Sequence, residues 1–465
     1  MATTLPNQRA MRTLPTAVKE AGWWMLVVLA SLGTAALTMR SLQWGCTAAL
    51  VVLAVGTYLA NRSAGLAVMW TVWLLVPGLR RVLALEAPTG ASDPLSLAPF
   101  LITGCIVSIE LYRARMSRFA AGVLTAAGCG YLIGVPAAIS APQAMAFALL
   151  AYTVAVGCFV IGYREPPRIE SLTLRRVLLI VTPLLALYGV RQYIGPLPRW
   201  DNAWLGSLEG QLTTVGAPEP GHVRAFATLN SPGTLAAVLG LAAVCFLAQR
   251  RFDLAKLAGI ALVLTALLLT YTRGAWVGVV VGILVVVAAS RGRAGWRVVF
   301  VGILLVATLS AVAGKSATGQ TIVGRVHTLG RLGSDRSAQQ RVATPQTLIP
   351  EAVAAPLGRG LGSAGEASRL TATPTFQNTD NGYLSLLYQV GPLGFALVMA
   401  AAIAAGVRAV RSVRLHGGEP IDVLVIGMLG FLAFGLLTGD LLYGITGMIF
   451  WYLLGVGVRR SELRP

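Results

Sequence analysis

The feature that most constrains this chain is a series of apolar runs, each close to the ~20 residues that a helix needs to cross the hydrocarbon core of a bilayer. Charged residues gather between these runs. We count fourteen runs, and twelve to fourteen helices because two pairs of runs are closely spaced. The runs are approximately 22–39, 43–60, 64–79, 95–112, 119–138, 145–163, 177–194, 232–249, 255–272, 274–290, 297–314, 384–407, 420–438 and 443–457. The sequence therefore predicts an all-α polytopic membrane helix bundle.

Composition agrees with this prediction and excludes a nucleic-acid-binding protein. Of the 465 residues, 56% are hydrophobic and 12% are charged, about half the charged fraction of a soluble domain. The net charge of +19 is explained by Lys and Arg in cytoplasmic loops, where they resist translocation. The five cysteines lie within apolar runs and none is in a CxxC spacing. They are interpreted as packing residues, without a disulfide or a metal site.

The distribution of basic residues predicts the orientation. Most Lys and Arg residues fall in one alternate set of loops, nearly all of them short, so both termini are predicted to be cytoplasmic. The first run is interpreted as a retained signal anchor. The predicted segments are a tail at 1–21, helices at 22–194, an external loop at 195–231, helices at 232–314, a long external loop at 315–383, helices at 384–457 and a tail at 458–465.

Two arginines on the predicted external side are candidate anion ligands. Arg273 lies between two apolar runs, where a charge is costly and is a functional candidate by default, although an arginine that snorkels to the headgroups is the alternative. Arg224 lies in the first external loop and, taken alone, is more often a solvated loop residue. Two guanidinium groups at one membrane surface would suit a phosphate or a diphosphate. Asn230 follows Arg224 as a polar candidate before the next helix.

One carboxylate lies close to the start of the helix that follows the long external loop. Asp380 precedes an apolar run together with Asn381, and it is a candidate general base or ligand of a sugar hydroxyl. A helix N-cap at Asp380 or Asn381 is the structural alternative, and the two roles are compatible. Asp440 is predicted at an external turn as a solvated residue, and Glu110 is the main intramembrane acid, near a cytoplasmic helix end. The three histidines show no metal-site spacing, so no metal is expected.

Together these motifs resemble the O-antigen ligase/polymerase family of bacterial membrane glycosyltransferases. The resemblance covers most of the chain and is most specific over residues 188–451. The motifs on which the resemblance rests are the segment from Tyr188 to Trp204, the segment from Arg224 to Pro232, Thr272-Arg273-Gly274-Ala275-Trp276, the glycine run from Pro356 to Gly362, and Asp380-Asn381-Gly382-Tyr383-Leu384.

The resemblance implies an enzyme of the bacterial inner membrane with an external active site. Family members transfer a saccharide from a polyprenyl diphosphate carrier to an acceptor, without a nucleotide sugar or other cofactor. Arg224 and Arg273 match the arginines thought to bind the diphosphate. Asp380 would activate the acceptor hydroxyl, and Asn381 and Tyr383 would support the acceptor. The lipid bilayer is a further partner, and a regulator of chain length is a candidate partner.

One departure bears on the reaction. Ligases of the family commonly place a His-Asn pair where this chain has Asp380-Asn381, so the pattern favours a polymerase of undecaprenyl-diphosphate-linked saccharides over a ligase that uses a lipid or protein acceptor. Trp200 and Trp204 are candidate sugar-stacking residues, with interfacial anchoring as the alternative. A flippase for the same lipid-linked saccharides is the rival from another class. It is disfavoured because the chain shows no internal repeat.

Overall fold

A computed structural model describes residues 42–86, 94–207, 214–249, 253–290, 336–370 and 380–463. The predicted N-terminal tail, the runs 22–39 and 297–314, and most of the first half of the long loop lie outside the described residues. No β-strand occurs in the described ranges. The predicted all-α polytopic bundle is therefore confirmed.

Twelve of the fourteen predicted runs coincide with helices. In chain order the described α-helices are α1 (Leu42–Ala60), α2 (Arg62–Glu86), α3 (Ala98–Arg113), α4 (Arg118–Leu132), α5 (Pro142–Tyr163), α6 (Thr173–Ile194), α7 (Arg199–Gly206), α8 (Pro232–Leu247), α9 (Leu254–Leu269), α10 (Arg273–Ala289), α11 (Arg336–Val353), α12 (Gly382–Leu415), α13 (Pro420–Gly435) and α14 (Gly444–Glu462). Helices α7 and α11, of 8 and 18 residues, lie within the two predicted external loops, so these loops contain helices of their own.

Seven of the described helices, some with adjoining residues, are long and apolar enough to cross a membrane: α1 to α6 and α12. Helices α8, α9, α10 and α13 are apolar but shorter. Length and composition therefore support a multi-pass membrane protein, and the full number of spans stays a prediction.

Small residues allow close helix packing in the centre of the bundle. An ideal Cβ on Gly162 of α5 would lie 1.9 Å from the carbonyl oxygen of Tyr452 on α14, and one on Gly455 of α14 would lie 2.0 Å from the carbonyl oxygen of Phe159. Any side chain at these glycines would force α5 and α14 apart. Such small-residue contacts are typical of helices that pack in membranes.

The glycine run at 356–363 packs against a break in α12. Helix α12 has Pro392 inside it and a non-helical Gly391 with φ of 68°, and a proline leaves the carbonyl four residues earlier without its helical donor. The N–H of Arg359 donates to that carbonyl, on Tyr388 (2.9 Å), and the N–H of Gly360 donates to the carbonyl of Gln389 (3.2 Å). The run therefore satisfies backbone groups that the kink exposes.

The helix connections gather at two ends of the bundle. One end, which we call the loop face, contains 133–141, 195–207, 214–231, 270–272 and 436–443. The other end, the basic face, contains 114–117, 164–172 and 416–419. Glu110 lies near the basic face and is fully buried, where it accepts hydrogen bonds from Arg62 (2.6 Å), Arg164 and Tyr58 (2.6 Å). Because Glu110 is paired, it is a structural ion-pair residue, and the candidate site lies at the loop face.

Candidate functional site

The guanidinium group of Arg224 is held beside the first turn of α10. Its Nε donates to the carbonyl of Thr270 at 2.7 Å, its Nη2 donates to Oγ1 of Thr272 at 3.1 Å, and its Nη1 donates to the carbonyl of Thr214 at 2.9 Å. Thr270 and Thr272 immediately precede Arg273 in the chain. The fold therefore brings the two predicted arginines to one place from segments 49 residues apart.

Arg273 is the first residue of α10 and is half-buried. At a helix N-terminus the unpaired N–H groups and the macrodipole favour an anion, and an arginine there adds a full positive charge. The neighbouring Gly274 packs against the turn between α13 and α14, because its ideal Cβ would lie 2.4 Å from Oγ1 of Thr438. The start of α10 is thus fixed against residues 436–443.

The same turn contacts the start of α12. The N–H of Gly382 donates to the carbonyl of Leu436 at 2.8 Å, and the hydroxyl of Tyr383 donates to the carbonyl of Ala433 at 2.9 Å. Oδ1 of Asn381 accepts from the N–H of Leu384 at 3.1 Å, so Asn381 is the N-cap. Asn381 and Tyr383 both have structural contacts that position the start of α12.

Asp380 lies just before this cap and is exposed. Of the two capping alternatives that the sequence left open, the structure selects Asn381. Asp380 directly precedes the start of α12, which contacts the 436–443 turn at the loop face through Gly382 and Leu436. The residues predicted as catalytic are therefore linked through the ends of α10 and α12 and the 436–443 turn.

The two tryptophans have different surroundings. Trp200 is half-buried and its Nε1 donates to the hydroxyl of Tyr188 at 2.8 Å. Trp204 packs against Phe226, with ring centroids 5.6 Å apart, and the guanidinium of Arg81 lies 4.9 Å from its ring centroid. These contacts favour structural packing for Trp204 over an open surface for sugar stacking.

Asn230 is half-buried, and its Oδ1 is a buried atom without a hydrogen-bond partner in the described ranges. The adjacent Ser231 caps α8, since its Oγ accepts from the N–H of Thr234 at 3.0 Å. Because this oxygen is enclosed by protein atoms, the binding role of Asn230 stays a prediction.

A buried ionic network that sequence reasoning missed holds the segment that carries Arg224. Arg81 and Asp201 are 2% and 0% exposed and form an ion pair at 2.7 Å. Arg81 Nη2 also donates to the carbonyl of Ala227 at 2.7 Å. Gln192 links α7 to the segment that carries Arg224, because its side chain donates to Asp201 at 2.6 Å and accepts from the N–H of Ala227 at 2.7 Å. One sequence feature could have indicated this network: Asp201 lies between two tryptophans, in a predicted loop close to an otherwise apolar helix.

The sequence interpretation was also wrong about the surroundings of Asp440. It was expected to be solvated, but its Oδ2 accepts from Oγ of Ser385 at 2.7 Å and its Oδ1 is buried without a partner among the described residues. Burial raises the pKa of Asp440 to about 6. The hydrogen bonds from Ser385 and from the backbone of Leu442 lower this pKa, whereas the charge of Glu366 raises it further. The reason is that the α13–α14 turn lies under the 3₁₀ helix Gly365–Leu370 rather than projecting outward.

The fold and this face define a class: a multi-pass membrane protein with arginines and carboxylates at one end of a helix bundle. Residues 258–399 match a family model, Wzy_C, described as O-antigen ligase. This match confirms the resemblance to the O-antigen ligase/polymerase family and covers Arg273, Asp380 and the glycine run, whereas Arg224 and Asp440 lie outside it. No curated protein matches the chain. Residues 258–399 are therefore similar to O-antigen ligases, and this similarity supports an O-antigen ligase/polymerase-type membrane enzyme of polysaccharide biosynthesis.

Proposed function

We propose that this protein is an inverting glycosyltransferase of the bacterial inner membrane that polymerises surface polysaccharide. The donor is a saccharide on a polyprenyl diphosphate carrier, and the acceptor is a hydroxyl of another saccharide. The observation that carries the proposal is the attachment of the Arg224 guanidinium to Thr270 and Thr272, the residues that immediately precede Arg273. This arrangement gives one anion two cationic neighbours and a helix N-terminus.

The chemistry follows from these groups. The bond between the sugar C1 and the diphosphate oxygen breaks, and the acceptor oxygen forms the new bond to C1 from the opposite face. Arg224 and Arg273 stabilise the negative charge that the leaving diphosphate gains. Asp380, an exposed carboxylate at the start of α12, accepts the proton of the acceptor hydroxyl. The carrier chain lies between helices in the bilayer.

A ligase that transfers to a lipid or protein acceptor is the second candidate, because the matched family model is described as O-antigen ligase. Asp380 in place of the histidine expected of ligases favours the polymerase. The two differ only in the acceptor, so the same arginines would serve both reactions.

The test deletes the chromosomal gene and supplies the wild type or a variant from a plasmid. The lipid-linked saccharides and the surface polysaccharide of these cells are then profiled by mass. We expect Arg273→Ala to lower polymer formation by at least a hundredfold, since removing one donor to a developing oxyanion costs about 10²–10³ in rate. Arg191→Ala is the matched control, because Arg191 is an exposed arginine at the same end of the bundle. Protein levels in the membrane are compared by immunoblot.

The accumulated species identifies the reaction. Single repeat units on the outer leaflet indicate a polymerase, and full-length polymer still attached to its carrier indicates a ligase. Single units trapped on the cytoplasmic leaflet would indicate a flippase. Normal polymer from Arg273→Ala at normal protein level would refute the arginine site.

A further inference from the structure

Two non-glycine residues in the described ranges have a left-handed backbone, and each lies close to one of the two candidate diphosphate arginines. Ala227, with φ of 49°, follows Arg224 by three residues, and Tyr271, with φ of 52°, precedes Arg273 by two. A left-handed backbone is costly for a residue with a side chain and persists only where the surrounding structure imposes it. Ala227 is held by the Arg81 network, whereas Tyr271 is held by other residues.

Tyr271 is held by a buried tyrosine of α6. Tyr193 and Tyr271 are each 5% exposed, their hydroxyl oxygens are 2.8 Å apart, and their ring centroids are 6.1 Å apart. Tyr193 also contacts the external segment that leads to Arg224, because its carbonyl accepts from the N–H of Gly221 at 2.7 Å. The pair of tyrosines therefore links α6, the turn between α9 and α10, and the segment before Arg224.

The turn that contains Tyr271 supplies two hydrogen-bond acceptors to Arg224. One is the carbonyl of Thr270 and the other is Oγ1 of Thr272, so Tyr271 lies between the two acceptors in the chain. Rotation of Tyr271 to an ordinary negative φ would turn the peptide that contains the Thr270 carbonyl relative to Thr272, because peptide units are planar and φ is the torsion between them. The two acceptors could then no longer meet one guanidinium group.

The same turn sets the position of Arg273. Only residues 270–272 separate α9 from α10, and Arg273 is the first residue of α10. A change of φ at Tyr271 therefore moves the start of α10 relative to α9. One backbone torsion thus controls the spacing and the orientation of both guanidinium groups, and a diphosphate that binds two such groups requires them in a fixed geometry.

We propose that Tyr193 and Tyr271 are positioning residues whose paired hydroxyl groups hold Arg224 and Arg273 at the spacing that one diphosphate requires. This inference rests on the proposed function, which supplies the diphosphate. The tyrosines act through the arginines and do not touch the substrate. Loss of one hydroxyl therefore weakens diphosphate binding even though both arginines are still present.

The test measures diphosphate binding to the full-length protein in lipid nanodiscs by isothermal titration calorimetry, with inorganic diphosphate as the probe. We expect the wild type to bind it and Arg273→Ala to lose this binding. Tyr193→Phe and Tyr271→Phe each keep the ring and remove one hydroxyl, and each should lower the affinity about tenfold. Because both substitutions break the same hydrogen bond, the double variant should bind at least as well as the single variants.

Tyr163→Phe is the matched control. Tyr163 is a buried tyrosine whose hydroxyl donates to Glu462 at 2.6 Å, at the other end of the bundle near the basic face. This substitution should lower the thermal stability, as the other two do, without changing the affinity for diphosphate. Thermal unfolding of each variant in the same nanodiscs establishes that binding is compared between folded proteins.

The outcomes separate the positioning role from the proposed function. Wild-type affinity in both Tyr193→Phe and Tyr271→Phe, with binding still lost in Arg273→Ala, would reject the positioning role and keep the proposed function. An equal loss of affinity in Tyr163→Phe, or losses that add in the double variant, would also reject it, since the hydroxyl groups would then act separately or through general stability. A wild type that binds no diphosphate, or binding that does not need Arg273, would reject the arginine site and this inference with it.

Discussion

At the scale of single residues, the buried Arg81–Asp201 pair has the clearest energetic role. Both side chains are almost fully buried, and each makes further hydrogen bonds, Arg81 to Ala227 and Asp201 to Tyr188 and Gln192. Removing one partner of such a pair leaves a buried charge uncompensated. The pair fixes Ala227, three residues from Arg224, so it positions an arginine of the candidate site.

We expect Arg81→Met to lower the free energy of unfolding by roughly 3–5 kcal/mol, the usual cost of breaking a buried ion pair. Asp201→Asn in addition should restore part of that loss, because the unpaired charge is then removed. Lys256→Met is the control, since Asp253, the partner of Lys256 at 2.6 Å, is exposed to solvent and a solvated ion pair contributes far less than a buried one. Thermal unfolding of the protein in detergent, followed by tryptophan fluorescence, measures the three variants.

Equal losses of unfolding free energy for Arg81→Met and Lys256→Met would contradict the positioning role of the buried network.

The sequence predicted that Arg224 and Arg273 act together, because both precede or begin helices on the same predicted side of the membrane. It could not predict the partner of Arg81, since the pairing joins residues 120 positions apart and depends on how α2 and α7 meet.

At the scale of elements, the break in α12 and the glycine run form one unit. Pro392 and Gly391 interrupt the helix, and the backbone of residues 358–362 approaches closely enough to satisfy the exposed carbonyls. Gly358 has φ of 78°, and its ideal Cβ would lie 2.3 Å from the carbonyl oxygen of Gln389. Neither the left-handed backbone nor the space permits a side chain at this position.

We expect Gly358→Ala to destabilise the protein by about 2 kcal/mol or more, from the strained backbone and the displaced kink. Gly406→Ala, within α12 itself, is the control, because no atom lies within 4 Å of its ideal Cβ, and it should stabilise the helix by up to about 1 kcal/mol. Thermal unfolding in detergent compares the two variants. A Gly358→Ala variant as stable as Gly406→Ala would show that the run does not depend on close contact with α12.

At the scale of the whole molecule, the charge distribution orients the bundle. Arginines such as Arg408, Arg411 and Arg414 near the end of α12 lie at the basic face, whereas the candidate site lies at the loop face. Positive residues resist translocation. The basic face is therefore predicted to be cytoplasmic, and the candidate site is predicted to lie on the external side of the membrane.

Cysteine labelling tests this orientation. We expect Ser207→Cys, in the exposed segment after α7, to react with a membrane-impermeant maleimide in intact spheroplasts, because Ser207 lies at the loop face. Leu254→Cys, at the start of α9 and 82% exposed, should react only after the membrane is permeabilised. The unmodified protein, with its five native cysteines, is the control for background labelling. The reverse pattern would overturn the orientation and with it the external active site.

The sequence by itself determined the fold class and the positions of twelve helices, because an apolar run long enough to cross a bilayer has to satisfy its backbone within itself. It also predicted Arg224, Arg273 and Asp380 as site residues, since charged groups beside long apolar runs are conspicuous, and their roles stay a prediction. The tertiary structure alone decided that Asn381 caps α12, that Trp204 packs against Arg81, and that Asp440 is half-buried and accepts a hydrogen bond from Ser385. These outcomes depend on contacts between segments far apart in the chain, and no local pattern encodes such contacts.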